Sequence, residues 1–256
     1  MTTDASETAP ADATREYAQR READWASFTS STGSPGDYWE AWGEESYGWR
    51  PEISFFQPVG LDYAELIEQI EPLRAALDGL PGVDLPPPEF LHMKFLQLGF
   101  LRAVDIYWSQ VETFYVNAAP RVHRVEPFSL HVAGVSAREE AVYLGVDDGY
   151  ILREVRRQIG IGVPKAQQVF KEKGIKTGPE DDFVPDIPIA YLVDGGDRAA
   201  IIDAVMPYLH ADFGSYPVSH IKMGRIAPDP EVHYPNIDVV AEINLLGKDY
   251  RKGYHN

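Results

Sequence analysis

The chain has 256 residues and a net charge of −17, from 40 acidic and 23 basic residues. Hydrophobic residues make up 44% and aromatic residues 12% of it, which is typical of a folded globular protein. Because a long nucleic acid is held by a basic surface stripe, this charge excludes a general nucleic-acid-binding role. Cysteine is absent, so disulfides and thiolate metal sites are excluded. No apolar run reaches the roughly 18 residues of a membrane span, and we expect a cytoplasmic protein without a membrane partner.

The N-terminal part of the chain is polar and then strongly aromatic. Residues 1 to about 35 are rich in Thr, Ser, Ala and acidic residues, and we predict a disordered acidic tail that can contain a short helix from Ala13 to Trp25. Residues 38–50 predict an arm that covers a sheet. The alternative is an aromatic lid that stacks on a base. Its aromatic residues are Tyr38, Trp39, Trp42, Tyr47 and Trp49.

The remaining chain follows one plan twice. Pro51 to Pro58 predicts a strand, and Tyr63 to Leu77 predicts a helix from its apolar spacing. Each copy of the plan then has an opening strand, an amphipathic stretch and two strand-like runs. In the first copy these are residues 91–96, 104–118, 128–135 and 141–146. In the second they are residues 184–192, 197–210, 216–226 and 237–246.

Between the copies, residues 151–159 predict a short helix, and residues 160–182 predict an excursion of the chain, which we interpret as a flap.

This order of elements predicts an α+β fold. Each copy runs strand, helix, strand, strand, which favours mixed or antiparallel sheets over a doubly wound parallel sheet. We interpret the two copies as two lobes related by a pseudo-two-fold axis, with two sheets flanking a central cleft and helices outside. The prediction is a single bilobed domain over residues 36–248, with the exchange between lobes near residues 147–185 and a polar tail at residues 249–256.

The opening strands carry the residues of chemical interest. Residues i and i+2 of a strand share a face, so His92 and Lys94 point the same way, and so do Asp186 and Pro188. An imidazole and an ammonium on the wall of a cleft can hold an anion. We therefore place the candidate site between the two opening strands.

Two stretches resemble a known family. Pro88-Glu89-Phe90-Leu91-His92-Met93-Lys94, followed by Leu98-Gly99-Phe100, is similar to the first motif of the two-histidine phosphoesterase superfamily, which contains 2′–5′ RNA ligase-like proteins and 2′,3′-cyclic phosphodiesterases. Phe183-Val184-Pro185-Asp186-Ile187-Pro188-Ile189-Ala190-Tyr191 is similar to the second, and the resemblance extends from about Pro51 to Gly247. It implies one His-x-Thr/Ser motif per lobe. One histidine is then the general base, the other is the general acid, the hydroxyl residues bind phosphate oxygens, and no metal or other cofactor takes part.

This chain departs from the motifs at three of their four positions. His92 remains, whereas Lys94 and Pro188 replace the hydroxyl residues and Asp186 replaces the second histidine. We therefore expect the two-histidine chemistry to be lost or altered, and we predict that Lys94 and Asp186 pair across the cleft. The predicted function is a cleft that binds, or acts on, a small phosphate ester or another anionic ligand, with a nucleotide as the partner that the family suggests.

Two alternatives stay open. Val218 to Met223 repeats the His-x-Lys pattern, so an active phosphodiesterase with a rebuilt site could combine His92 with His220 or Asp186. His92, Asp186 and His220 are thus the candidate catalytic residues, and Lys94, His131, Lys222 and Tyr191 are the candidate ligand-binding residues. The other alternative is a non-catalytic protein-interaction module.

Overall fold

The computed structural model describes residues 8–234 and 237–251, which form two antiparallel sheets and seven α-helices within those ranges. The first sheet has the order β3-β1-β8-β9, and the second has the order β2-β6-β5-β4-β7. The strands are β1 (Glu52–Pro58), β2 (Val83–Asp84), β3 (His92–Phe100), β4 (Phe128–Arg138), β5 (Ala141–Asp147), β6 (Asp186–Leu192), β7 (Asp212–Val218), β8 (His220–Ile226) and β9 (Asp238–Asn244). The helices are α1 (Thr8–Ser30), α2 (Tyr38–Glu45), α3 (Ala64–Leu77), α4 (Trp108–Val122), α5 (Ile151–Gly162), α6 (Pro164–Lys173) and α7 (Arg198–Val205). The predicted α+β class with two sheets is confirmed.

The two sheets exchange strands between the two copies. β4 and β5 follow β3 in the chain but lie in the second sheet beside β6, whereas β8 and β9 return to the first sheet beside β1. Each copy of the sequence plan therefore contributes strands to both sheets. After β3, the chain changes sheet between β3 and β4 and again at Ser219, and β5 and β6, on either side of residues 147–185, belong to the same sheet.

The crossing at Ser219 divides a run that the sequence predicts as one strand. Residues 216–226 are continuously strand-like, but β7 ends at Val218 and β8 begins at His220. Pro217 lacks an amide hydrogen and is tolerated because β7 lies at the edge of its sheet. Local strand propensity does not report which sheet a residue joins, and so the sequence does not predict the break.

The core is continuous between the two sheets. α3 buries Leu66, Ile70, Leu73 and Leu77, which recur at helical spacing, as predicted. These side chains join one apolar cluster with buried residues of β1, β3, β4, β5 and β6. Both opening strands, β3 and β6, are therefore fixed by packing on a shared core.

Residues 8–30 form α1, and this corrects the prediction of a disordered tail. Ala13, Tyr17 and Phe28 lie on one stripe of the helix and are buried. The Tyr17 hydroxyl donates to Asp148 at 3.0 Å, and the Arg198 guanidinium lies 4.5 Å from the centre of the Phe28 ring. The helix is stabilised by tertiary contacts that its polar composition does not reveal. Residues 1–7 lie outside the described residues.

The segment interpreted as a flap is also fixed. It contains α6, and its end is held by an ion pair in which Arg156 Nε lies 2.8 Å from Asp181 Oδ2, with both side chains buried. At the C-terminus, residues 247–251 form a short 3₁₀ helix, and the rest of the predicted polar tail lies outside the described residues. Among the described helices, none combines the length and apolar character that crossing a membrane requires.

Candidate functional site

His92 is held as a neutral imidazole at the start of β3. Its side chain is buried, and Nδ1 lies 2.6 Å from the Phe90 carbonyl oxygen, so Nδ1–H donates and Nε2 keeps its lone pair. The rings of Phe56 and Phe90 meet the imidazole edge to face, at 5.9 Å and 5.2 Å between ring centres. Burial lowers the pKa of His92 from 6.5 to about 4. At neutral pH His92 can therefore accept a proton or a hydrogen bond but cannot donate a proton.

Lys94 is paired within its own sheet. Its Nζ lies 3.1 Å and 3.0 Å from the two carboxylate oxygens of Glu52, a buried residue of β1, and 5.2 Å from the centre of the Trp42 ring. Burial favours the neutral amine, but the charge and hydrogen bonds of Glu52 outweigh it and raise the pKa of Lys94. Lys94 is therefore a stable cation whose charge is already balanced.

Asp186 is paired with an arginine of the same sheet. Arg138, at the end of β4, donates from Nη1 to Asp186 Oδ2 at 2.5 Å and from Nη2 to Oδ1 at 3.5 Å. The guanidinium lies 4.8 Å from the centre of the Tyr143 ring. The predicted Lys94–Asp186 pair is wrong, because each residue has a partner nearer to it in its own sheet.

A bulge in β6 brings Tyr191 to the face of Asp186 and Pro188. β5 pairs Val142 with Ala190 and Tyr143 with Pro188, so Ile189 is an extra residue that reverses the alternation of side chains. The Tyr191 ring packs 4.2 Å from the Tyr38 ring of α2. Burial raises the pKa of both phenols well above the usual value of 10, so both hydroxyls stay protonated and can donate hydrogen bonds.

These residues surround one cavity of about 330 Å³. Its walls combine the cation–carboxylate pairs with an aromatic surface and a neutral imidazole. The lining residues that matter here are His92, Lys94, Asp186, Pro188, Tyr191, Arg138, Tyr38 and Trp42. The sequence predicted four of them as site residues, namely His92, Lys94, Asp186 and Tyr191. It did not point to Arg138, because only the folded sheet brings the guanidinium of this residue to Asp186, 48 positions away in sequence. Tyr38 and Trp42 belong to the segment of residues 38–50, whose many aromatic residues led to the alternative interpretation as an aromatic lid.

His220 and Lys222 lie outside this cavity. Lys94 of β3 and Lys222 of β8 are both paired with Phe56 of β1, which lies between these two strands. The two strands that carry a His-x-Lys pattern are therefore two strand spacings apart, about 10 Å. His220 instead lies with Nδ1 3.2 Å from the Ser219 hydroxyl and Nε2 3.4 Å from Asp62. The structure therefore does not bring His220 to His92.

His131 is also outside the cavity. It is exposed on β4, with Nδ1 3.1 Å from the Ser215 hydroxyl and Nε2 3.8 Å from Asp212 Oδ1. Within residues 8–234 and 237–251, no three His, Asp or Glu side chains are arranged to hold a metal ion.

Solved structures are similar to this chain over most of its length. TT0787 of Thermus thermophilus superposes with a TM-score of 0.54 at 20% sequence identity, covering 78% of this chain and 99% of that one. A phosphoesterase gives 0.50 at 16% identity, covering 77% and 98%. E. coli LigT complexed with 3′-AMP gives 0.51 at 18% identity, covering 77% and 97%. No protein-family model matches the chain, and no curated protein matches it in sequence. At these identities the likeness shows the fold alone, and it confirms the predicted α+β architecture with two sheets.

Proposed function

We propose that this chain is a diverged protein of the two-histidine phosphoesterase fold whose cavity binds a small phosphate ester without hydrolysing it. The observation that carries the proposal is the ion pair between Asp186 and Arg138 at the position of the second motif. There the resemblance expects the histidine that completes the acid–base pair.

The protonation states of the side chains that line the cavity argue against two-histidine hydrolysis. That reaction needs one group that takes a proton and another that gives one. His92 is neutral with a pKa of about 4, so it can serve only as the base. Asp186 is a carboxylate held by a guanidinium, which makes it an acceptor. The phenols of Tyr38 and Tyr191 have raised pKa values, which makes them poor proton donors in a reaction, although they remain good hydrogen-bond donors.

The same side chains support the binding of a phosphate ester. Arg138 and Lys94 are cations on the cavity wall, each already paired with a carboxylate, and Glu45 and Glu140 line the same wall. A phosphate can displace Asp186 from Arg138, because a guanidinium matches a phosphate as well as it matches a carboxylate. The aromatic wall offers a stacking surface for a planar base. A volume of about 330 Å³ lies at the lower end of the range for small-molecule pockets. The complex of LigT with 3′-AMP supports a nucleotide as the first ligand to test.

Calorimetric titration with 3′-AMP and phosphorus NMR of an incubation with 2′,3′-cyclic AMP test the proposal together. We expect heat of binding for 3′-AMP, and an unchanged cyclic ester. His220→Gln is the matched histidine control outside the cavity, and we expect it to bind as the wild type does.

Two outcomes contradict the proposal in different ways. Opening of the cyclic ester that is lost in His92→Ala but kept in His220→Gln would establish an active phosphodiesterase, with Asp186 as the remaining candidate for the second group. Absence of binding for both nucleotides would overturn the phosphate-ester ligand and favour the interaction module.

A further inference from the structure

α1 lies across the cleft face of the second sheet. Ser136, Tyr143 and Pro188 are paired across β4, β5 and β6, so they share the face that also carries Asp186. The Ser136 hydroxyl donates to the Arg21 carbonyl at 2.9 Å. Polar contacts thus fix the helix on the very face that borders the candidate site.

Two glycines make this close approach possible. A Cβ atom at Gly134 or Gly145 would come within 2.5 Å of the Arg21 side chain, and Gly134 also has a φ of +72°. The Tyr143 hydroxyl donates to Asp24 Oδ2 at 2.8 Å one turn further along α1. The strands are therefore shaped to accept the helix, which covers β4 and β5 beside the cavity.

α2 continues this cover from one sheet to the other. Near its start, the Tyr38 ring packs on Tyr191 of the second sheet, and Asp37 Oδ2 accepts a hydrogen bond from the Asp194 amide at 3.2 Å. In its second half, the Trp42 ring meets Phe100 of the first sheet at 5.8 Å and lies under Lys94. α2 therefore bridges the two sheets directly over the candidate site.

The cavity takes four wall residues from α2: Tyr38, Ala41, Trp42 and Glu45. A nucleic-acid strand held in a cleft must leave the site along an open groove, because its next nucleotide continues the backbone. Here α1 occupies the neighbouring sheet face, and α2 crosses the gap between the sheets. The net charge of −17 also repels additional phosphates outside the cavity.

We infer that α1 and α2 are a size-selecting cover that restricts the candidate site to ligands of mononucleotide size and excludes oligonucleotide ends. This inference rests on the proposed function, since it names which phosphate esters the cavity accepts. α2 sets the limit through Ala41 and Trp42. The adjoining pocket beside α1, of about 480 Å³, carries the carboxylates of Asp24, Glu139, Glu140 and Asp182, which repel a second phosphate.

Titration of the full chain with 3′-AMP and with the 3′-phosphorylated trinucleotide ApApAp tests it, because both ligands present the same 3′-terminal nucleotide. We expect the wild type to bind the trinucleotide at least about tenfold more weakly. The double variant Tyr38→Ala/Trp42→Ala removes the wall, and we expect it to narrow that ratio, with circular dichroism to verify the fold.

A second pair of variants keeps the test valid if the double variant does not fold. Ala41 and Glu40 are both exposed neighbours on α2, but only Ala41 lines the cavity. Ala41→Leu narrows the cavity and should weaken 3′-AMP binding about tenfold, whereas Glu40→Leu should leave it unchanged. Equal wild-type affinity for the two ligands, or equal effects of the two leucine variants, would overturn the size-selecting cover. Wild-type protein that binds neither ligand would instead overturn the proposed function.

Discussion

The ion pair between Asp186 and Arg138 dominates the electrostatics of one wall of the candidate cavity. Asp186 occupies the Arg138 guanidinium, a group that also binds phosphate oxygens well. Under the proposed function, a ligand phosphate therefore competes with Asp186 for Arg138.

Neutralising Asp186 tests this competition. We expect Asp186→Asn to tighten 3′-AMP binding by about tenfold, or about 1.4 kcal/mol, because Arg138 loses its nearer charged partner and keeps only the longer contact with Glu140, at 3.9 Å. Calorimetric titration measures the change, and Asp212→Asn, an exposed carboxylate beside His131, is the control for net charge. Unchanged or weaker binding in Asp186→Asn would mean that Arg138 does not contact the phosphate.

His92 makes stability depend on pH. Its pKa of about 4 in the folded state is below the 6.5 of an unperturbed histidine, so the unfolded chain takes up this proton first as the pH falls. His92 therefore has no effect above its unfolded pKa and destabilises the fold progressively as the pH falls from 6.5 towards 4.

The measurement is urea unfolding of the wild type and His92→Gln. We expect the wild type to lose about 2 kcal/mol more than the variant between about pH 7 and about pH 5. The comparison with the variant removes the contribution of the many carboxylates. Parallel losses in the two proteins would show that His92 titrates normally in the folded state.

At the scale of elements, α1 contributes to the fold through a few large buried side chains. Phe28 is buried at its C-terminal end, beneath the guanidinium of Arg198. We expect Phe28→Ala to lower the free energy of unfolding by about 3 kcal/mol, because it opens a cavity between α1 and the second sheet. Urea unfolding measures the loss, and Gln19→Ala, an exposed position on the same helix, should change it little. A small effect of Phe28→Ala would indicate that α1 is bound only loosely.

At the scale of the whole molecule, the net charge of −17 is the dominant electrostatic fact. Like charges repel within the compact state, and salt screens the repulsion. Raising NaCl from about 10 mM to about 100 mM shortens the Debye length from about 30 Å to about 10 Å, and we expect the thermal midpoint of unfolding to rise. Differential scanning calorimetry measures it, with sucrose as the uncharged control. A midpoint that falls with salt would mean that the ion pairs outweigh the net repulsion.

The sequence by itself determined the elements of this protein and the location of half of its site. Strand and helix periodicity depends on neighbouring residues, so β1, α3 and the second opening strand were predicted close to their observed bounds, whereas β3 continues four residues beyond the predicted run 91–96. The alternation of side chains placed His92 with Lys94 and Asp186 with Pro188, and the motif resemblance predicted the fold that the solved structures confirm.

Only the tertiary structure decided how these elements combine. The exchange of β4, β5, β8 and β9 between sheets depends on pairings between residues that are far apart in sequence. Lys94 and Asp186 find their partners only where long side chains reach along the assembled sheets, and a single bulge at Ile189 turns Tyr191 into the cavity. α1 is ordered because it packs against a sheet whose residues lie more than a hundred positions away in the sequence. Such contacts leave no periodic signal in the chain, because their energies come from burial and charge pairing in the assembled molecule.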